Sequence, residues 1–195
     1  METLVLACIE AINSLMDIRY YITLVKAGKH LGFVLTISKE DCPHLMGLHY
    51  LTDRKDRRSR TEIYDDLMNS EEYRKWIASS DNWDEALKNR VSCTKKLEAL
   101  LDDNETVFRY NPKRNCFYSK IQAEYLLENS TENQVVFLFI DKRSDTDERF
   151  CRSVFTKSDK DYSERQERWT LLYKKKEYIS EGRTEELYRH KSYDP

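Results

Sequence analysis

The sequence predicts an α+β fold in which N-terminal helices and a helical insertion pack on an antiparallel β-sheet. Two observations lead to this class. Residues 61–103 keep a helical spacing of apolar side chains and contain neither glycine nor proline. From residue 106 onward, short segments rich in β-branched and aromatic residues alternate with polar turns, which is typical of an antiparallel meander.

The chain length of 195 residues is sufficient for one domain with a sizeable apolar core. We therefore expect a single domain over residues 1–195, with the helical insertion at about 54–103 and a C-terminal hairpin and tail at about 176–195. The charges nearly cancel, because 33 lysines and arginines accompany 35 carboxylates, for a net charge of −2. This balance gives no general attraction to nucleic acid, so any RNA binding must come from a local patch.

The five cysteines are scattered without a C-x-x-C pair, and their odd number argues against a complete disulfide framework. The longest wholly apolar run, residues 135–140, is far too short to cross a membrane, and the N-terminus lacks the features of a secretory signal. These observations predict reduced cysteines, no membrane partner and a cytoplasmic location. No cofactor is predicted.

The N-terminal part of the chain predicts one helix followed by a hairpin. Apolar residues recur at helical spacing over residues 3–16, which indicates an amphipathic helix with one core-facing stripe. β-Branched and aromatic residues then dominate residues 18–25 and 31–37, on either side of a polar turn that contains Gly28. We interpret these two segments as a β-hairpin.

The helical insertion is predicted to contain three helices, at 61–69, 71–78 and 83–102. Asn82 and Glu85 have the spacing of a capping box at the start of the third helix. Apolar residues recur on roughly one face of that helix and predict core contacts. They are Trp83, Leu87, Val91, Leu97 and Leu101.

Five successive strands are predicted after the helical insertion. They span residues 106–110, 121–127, 134–140, 149–155 and 169–175. Residues 135–140 are apolar on both faces, so we expect this strand to be central and covered on both sides. Residues 178–180 and 186–190 predict a last hairpin around Gly182.

A candidate general base lies where the first hairpin meets the helical insertion. Pro43 suits the first position of a helix, which places His44 in its first turn. The positive end of the helix dipole disfavours the imidazolium and leaves a neutral ring that accepts a proton. Alternatively, His44 is a partly buried histidine satisfied by a neighbour. His49 lies five residues further, roughly 140° around a helix, so we expect the two rings on different faces and predict no metal site.

A basic run follows directly at residues 52–60. Arginine clusters of this kind bind phosphates, because the guanidinium matches phosphate geometry and counterion release adds affinity. Arg54, Arg57 and Arg58 are therefore candidate substrate-binding residues. A solvated loop with no ligand is the alternative interpretation of the same residues.

The chain also carries an ordered set of short motifs. They are His-Leu-Met-Gly-Leu-His-Tyr-Leu at 44–51, Phe-Arg-Tyr-Asn at 108–111, Ala-Glu-Tyr-Leu-Leu-Glu at 123–128, Phe-Leu-Phe-Ile-Asp at 137–141, Phe-Cys-Arg-Ser-Val-Phe at 150–155, and Asp-Tyr-Ser with Gln166 and Trp-Thr-Leu-Leu-Tyr-Lys within 161–174. With this set the chain resembles the phage- and mobile-element-associated nuclease-like domains of the barnase, EndoU, colicin and RelE-like superfamily, in their fourth subgroup. The resemblance extends from about residue 18 to residue 176.

This resemblance implies a metal-independent ribonuclease site on the sheet. Within its motifs, His44 corresponds to the base or acid, Arg152 to a group that stabilises phosphate charge, and Ser153 or Thr170 to a hydrogen-bond donor for phosphate oxygen. Because side chains alternate along a strand, only one of Arg152 and Ser153 reaches the cleft unless a bulge intervenes. By the same alternation Thr170 and Lys174 are better candidates than Tyr173, which matches the family motif but is expected to be a core tyrosine.

Two functions remain open from the sequence. The first is a toxin-like or phage-conflict endoribonuclease that cleaves tRNA or other structured RNA by 2′-hydroxyl attack, leaving a 2′,3′-cyclic phosphate, with a cognate inhibitor protein as a further candidate partner. No general acid separate from His44 is evident for this chemistry. The second is a non-catalytic module of the same fold that binds RNA or a protein, in which the basic run matters and His44 does not.

Overall fold

A computed structural model describes residues 1–103, 106–131 and 134–194. Its helices are α1 (Glu2–Leu15), α2 (Cys42–Met46), α3 (Arg60–Asn69), α4 (Glu71–Ala78), α5 (Trp83–Ala86), α6 (Lys88–Thr94) and α7 (Leu97–Asp102). Its strands are β1 (Ile18–Lys26), β2 (Lys29–Thr36), β3 (Thr106–Arg109), β4 (Tyr125–Thr131), β5 (Gln134–Lys142), β6 (Arg149–Thr156), β7 (Glu167–Tyr178) and β8 (Arg183–Arg189).

The strands form a closed, mixed barrel, so the predicted antiparallel sheet is wrong although the α+β composition is as expected. In the described part of the chain, seven strands follow one another in the order β1-β2-β6-β5-β4-β3-β7, and β7 returns to pair with β1. The long strand β7 makes this closure, because one edge pairs with β1 while the other pairs first with β3 and then with β8. No local pattern reveals a pairing between strands so distant in sequence.

The barrel is weakest between β2 and β6, which meet through a single parallel pair of Leu35 with Arg149 among the described residues. Beyond this pair helix α6 lies along β6, and Asn89 Oδ1 accepts a hydrogen bond from the backbone N–H of Thr156 at 3.0 Å. Helix α2 also packs on β6. We call this part of the wall the β2–β6 seam, and helices α2 and α6 occupy it.

One contiguous apolar core fills the barrel and continues into the helices. Strand β5 shows the arrangement: Leu138 and Ile140 belong to this core, whereas Phe137 and Phe139 belong to a second cluster on the opposite face of the sheet. The prediction of a central strand covered on both sides is confirmed. Helix α1 is confirmed as well, and it buries one stripe of apolar residues against the other helices.

The third helix predicted in the insertion is instead three short helices, α5, α6 and α7. The interval from Val91 to Leu97 explains the break, since six residues turn an α-helix by roughly 600° and would place the two side chains on different faces. A break at Lys95 and Lys96 lets both side chains be fully buried. Asn82 precedes α5 without a side-chain capping hydrogen bond.

The described residues contain no helix that is both long and apolar enough to cross a membrane. Nor do they bring together three or more His, Cys, Asp or Glu side chains in a way that could hold a metal ion. All five cysteines are free thiols, and Cys116 alone among them is exposed.

Closure of the barrel predicts the hydrogen-exchange behaviour of β1. Alternate amides of an antiparallel strand point to opposite neighbours, so a strand at a sheet edge protects only every second amide. Because β1 pairs with both β2 and β7, we expect consecutive amides from Arg19 to Ile22 to exchange slowly when followed by NMR. Protection at alternate positions only would show that the sheet is open at β1.

Candidate active site

A buried ion pair fixes the start of helix α2 and so the position of His44. Asp41, which is 4% exposed, accepts hydrogen bonds from the Arg143 guanidinium at 2.7 and 3.2 Å. The same guanidinium donates to the backbone oxygen of Thr36 at the end of β2. Since Arg143 lies in the turn between β5 and β6, this contact fastens the residues before α2 to both strands of the seam.

His44 and His49 lie together, so the prediction that they occupy different faces of one helix is wrong. Their imidazole rings stack, with centroids 4.6 Å apart and an interplanar angle of 11°. Helix α2 ends at Met46, and the φ of 81° at the following Gly47 lies in the left-handed region that glycine adopts without strain. A separate 3-10 turn over Leu48–Tyr50 then brings His49 onto His44.

Both rings favour the neutral form, because burial and positive neighbours oppose protonation. Burial is the main cause that lowers the pKa of His44 to about 4, and the charges of His49, Arg60, Arg152 and Arg90 lower it as well. Burial, Arg90 and Arg60 also lower the pKa of His49. The seam therefore holds two proton acceptors among three cations, an arrangement suited to an anionic ligand.

Arg90 of α6 joins the helices to strand β6 at the centre of this cluster. Its guanidinium donates to Ser153 Oγ at 2.6 Å and lies over the rings of Tyr50 and Phe155 at 4.7 and 4.9 Å. A Cβ atom at Gly47 would come within 2.5 Å of Arg90 Cδ, so a larger residue at this position would have to displace the Arg90 side chain. No sequence motif marked Arg90, since its partner Ser153 is 63 residues away.

A β-bulge in β6 brings both Arg152 and Ser153 to the site. In the pairing with β5, Phe139 is opposite Ser153 and the next residue, Ile140, is opposite Cys151. Arg152 therefore has no partner on β5 and is the extra residue of β6. The alternation that would have separated the two side chains is thereby broken. Arg152 Nη1 donates to Asp141 at 3.0 Å, which leaves this arginine partly neutralised and partly exposed.

A groove of about 450 Å³ extends from the histidine pair along the basic run at residues 52–60. Its lining includes His44 and His49 together with all three arginines predicted to bind substrate, Arg54, Arg57 and Arg58. The candidate base and the candidate phosphate-binding residues thus share one surface. Leu51 and Ile77 form part of its apolar floor.

The arginines of this groove differ in how much charge they can offer a ligand. Arg58 is paired with Asp56 at 2.6 Å, and Arg54 with Asp53 at 2.9 Å. Arg57 is exposed and has no ion-pair partner among the residues that the structure describes. Arg60 also lines the groove, is exposed and has no ion-pair partner among the described residues, so Arg57 and Arg60 are the arginines of the run most available to a phosphate.

The other predicted site residues lie on the far side of the barrel. Thr170, Tyr173 and Lys174 belong to β7. Around the barrel, β7 is separated from β6 by two strands in one direction and by three in the other. Thr170 and Lys174 line a second groove of about 520 Å³ with His190. The structure therefore groups His44, Arg152 and Ser153, and it does not bring Thr170, Tyr173 or Lys174 to them.

A second bulge, at Leu172, reverses the faces predicted for the end of β7. Lys174 is 1% exposed and donates to the backbone oxygen of Leu101 at 2.6 Å, at the end of α7. Burial lowers the pKa of Lys174 to about 8. Tyr173 stacks instead on Tyr193, with centroids 4.6 Å apart. Lys174 thus binds a helix end inside the fold.

Comparison with known protein families gives one match. The family model described as phage-Barnase-EndoU-ColicinE5/D-RelE like nuclease4 matches residues 4–191. No curated protein and no solved structure matches the chain. The match spans all eight strands and, apart from the first residues of α1, every helix described above. The family name points to a nuclease, whose substrate is a nucleic acid.

The depressed pKa of His44 predicts how stability depends on pH. The unfolded chain protonates this ring near its ordinary value of 6.5 and the folded protein near 4, so the unfolded state binds more protons between these values. We expect the free energy of unfolding contributed by His44 to fall as the pH is lowered through this window. Urea denaturation at several pH values should show a weaker loss in His44→Gln.

NMR titration of the imidazole signals tests the electrostatic cause. Arg90→Met removes a positive charge beside both rings, so the pKa of His44 should rise toward 6.5. Arg183→Met, which removes a cation from strand β8, should leave it unchanged. A His44 pKa of 6.5 or higher in the wild-type protein would contradict the burial and charge described here.

Proposed function

We propose that this chain, which belongs to the phage-Barnase-EndoU-ColicinE5/D-RelE like nuclease family 4, is an endoribonuclease that needs no metal ion. The observation that carries the proposal is the stacked pair of neutral histidines among arginines at the β2–β6 seam. Two imidazoles can move protons and guanidinium groups can bind a phosphate. RNA cleavage by the ribose 2′-hydroxyl requires both.

In the proposed reaction, neutral His44 removes the proton of the 2′-hydroxyl, and the oxygen attacks the adjacent phosphorus. The bond from phosphorus to the 5′-oxygen breaks, and His49 donates a proton to that oxygen. The products are a 2′,3′-cyclic phosphate and a 5′-hydroxyl. Arg90 and Arg152 stabilise the charge that develops on the non-bridging oxygens, and Ser153, which Arg90 already orients, adds a hydrogen bond.

Phosphate binding prepares the histidine pair for these roles. In the free protein burial is the main cause that lowers both pKa values, and the neighbouring cations lower them further. An RNA phosphate that pairs with the arginines offsets their repulsion, so the pKa values rise toward the working pH. Because the stacked rings repel each other when both are charged, the pair binds one proton at a time. His49, which fewer cations oppose, takes that proton and becomes the acid, while His44 remains the base.

The basic run sets the proposed substrate. Arg54, Arg57 and Arg58 line the groove that leads away from the histidine pair, so they would bind phosphates beyond the cleaved bond. We propose a structured RNA such as tRNA as the substrate. The phage-associated family supports a toxin-like role in the cytoplasm during conflict between mobile elements and their hosts, with a cognate inhibitor protein as a partner.

A non-catalytic module that binds RNA or a protein is the second candidate. Two observations favour it: carboxylates pair with Arg54 and Arg58, and a His44 pKa of about 4 makes a weak base in the free protein. In this case RNA binding would depend on salt and would persist in His44→Ala without any cleavage.

Cleavage of total RNA by the purified protein in EDTA tests the leading proposal. We expect fragments that end in 2′,3′-cyclic phosphate. His44→Ala and His49→Ala should each slow cleavage by roughly 10²-fold or more, since each removes a proton-transfer group. Arg152→Met should cause a loss of similar size by removing charge stabilisation.

His190→Ala is the matched control, because it removes an imidazole from the second groove beside Thr170. Its cleavage rate should equal that of the wild-type protein. Thr170→Val should likewise have no effect on rate. The proposal would be contradicted if RNA stays intact under all conditions. It would also be contradicted if His190→Ala abolishes cleavage while His44→Ala cleaves at the wild-type rate.

A further inference from the structure

A second positively charged surface lies on the β3–β4 loop, residues 110–123. This segment contains no aspartate or glutamate. Its three cations, Lys113, Arg114 and Lys120, are exposed, and none of them forms an ion pair among the described residues. Arg114 lies near the carboxylate of Glu167. The hydrogen bond with Lys26 is the main cause that lowers the pKa of the Glu167 carboxyl, and the charge of Arg114 lowers this pKa further. The loop still carries a clear excess of positive charge.

Side-chain hydrogen bonds hold this loop in one conformation although it has little regular structure. The Gln166 side chain accepts from the backbone N–H of Asn111 at 2.8 Å and donates to Asn115 Oδ1 at 3.0 Å. Asn115 Nδ2 donates in turn to Tyr110 Oη at 2.9 Å. The loop is therefore preorganised, which lowers the entropy cost of binding a ligand.

The loop presents an aromatic ring to solvent. Tyr118 is 80% exposed, more than any other large hydrophobic side chain in the described part of the chain. The preceding Phe117 packs against Tyr162, with ring centroids 4.9 Å apart. A tyrosine that is largely exposed on a fixed loop contributes little to folding, and it offers a flat surface on which a base can stack.

A row of rings connects this loop with the catalytic cluster. Tyr162 contacts Phe155 at 5.4 Å between ring centroids, and Phe155 lies under the Arg90 guanidinium at 4.9 Å. Arg90 lies in turn over Tyr50, which is 45% exposed. The β3–β4 loop and the basic run at residues 52–60 are thus joined to the same site by separate contacts.

We propose that the β3–β4 loop is a second RNA-binding arm that holds an unpaired segment of the substrate. One base stacks on Tyr118, and Lys113, Arg114 and Lys120 bind the adjoining phosphates. Stacking of this kind needs a base that is free of its partner, so the substrate class is RNA with a single-stranded segment beside the cleaved bond. The inference rests on the proposed function, since it assigns further contacts to the same RNA.

Binding of a short, labelled 2′-O-methyl oligonucleotide tests the arm, because methylation removes the attacking hydroxyl and prevents cleavage. The triple variant Lys113→Ser, Arg114→Ser, Lys120→Ser should reduce the slope of log affinity against log salt by about two, at about 0.7 per contact for single strands. A triple variant on β7, β8 and the residues that follow β8, Lys175→Ser, Arg183→Ser, Lys191→Ser, removes the same number of cations, and this control should keep the wild-type slope.

The stacking contact is tested separately with the same oligonucleotide as a single strand and as a duplex. Tyr118→Ala should weaken binding of the single strand about tenfold and leave duplex binding unchanged. Tyr118→Phe keeps the ring and should bind like the wild-type protein. Tyr188→Ala, which removes an exposed tyrosine from β8, should have no effect on either form.

The outcomes separate this inference from the nuclease proposal. Suppose that the wild-type protein cleaves RNA while the triple variant and Tyr118→Ala bind the single strand with wild-type affinity and wild-type salt dependence. The proposal of a second RNA-binding arm is then wrong, and the nuclease proposal is supported. If the wild-type protein cleaves no RNA but binding falls in both variants as expected, the arm stands and the nuclease fails. Failure of the wild-type protein to bind the oligonucleotide overturns the arm.

Discussion

Among the described residues β2 and β6 meet through one parallel pair, Leu35 with Arg149, and the candidate site depends on this short contact in the barrel wall. A full ladder between the two strands would occupy the edge of β6 with backbone partners. Instead the N–H of Thr156 is satisfied by the side chain of Asn89 on α6, and α2 packs against the same strand. At the seam, helices α2 and α6 thus form part of the barrel wall. Helix α2 carries His44 and α6 carries Arg90, while His49 lies in the 3-10 turn that follows α2.

The seam also concentrates positive charge in a chain whose net charge is −2. Arg90 is largely withdrawn from water and is held by the Ser153 hydroxyl and two aromatic rings. Arg152 forms an ion pair with Asp141, which partly neutralises its charge. Grouping cations around two partly buried imidazoles is unfavourable for folding alone, because like charges and burial both oppose it. Perturbed titrating groups of this kind are common at functional sites, where a ligand supplies the missing charge.

Sequence patterns predicted those features that depend on neighbours in the chain. The periodicity of α1 and α4 and the apolar run of β5 are local, and Pro43 marks the start of α2 that carries His44. Features that depend on distant partners were missed. The bulges at Arg152 and Leu172 change which way side chains point, and only the pairing with neighbouring strands creates them. Arg90 was missed because its partners converge only in the folded protein.

Phosphate binding at the histidine pair, and not in the groove beside β7, is tested most directly with the four histidines of the chain. His44 and His49 lie at the seam, His190 lines the groove beside Thr170, and His30 lies on β2. The imidazole signals can be followed by NMR while a 2′-deoxy dinucleotide, which supplies a phosphodiester but no attacking hydroxyl, is added. We predict that the pKa of His44 rises and that the His190 and His30 signals stay unchanged. Shifted His190 signals with an unaffected His44 would contradict the placement of the site at the β2–β6 seam.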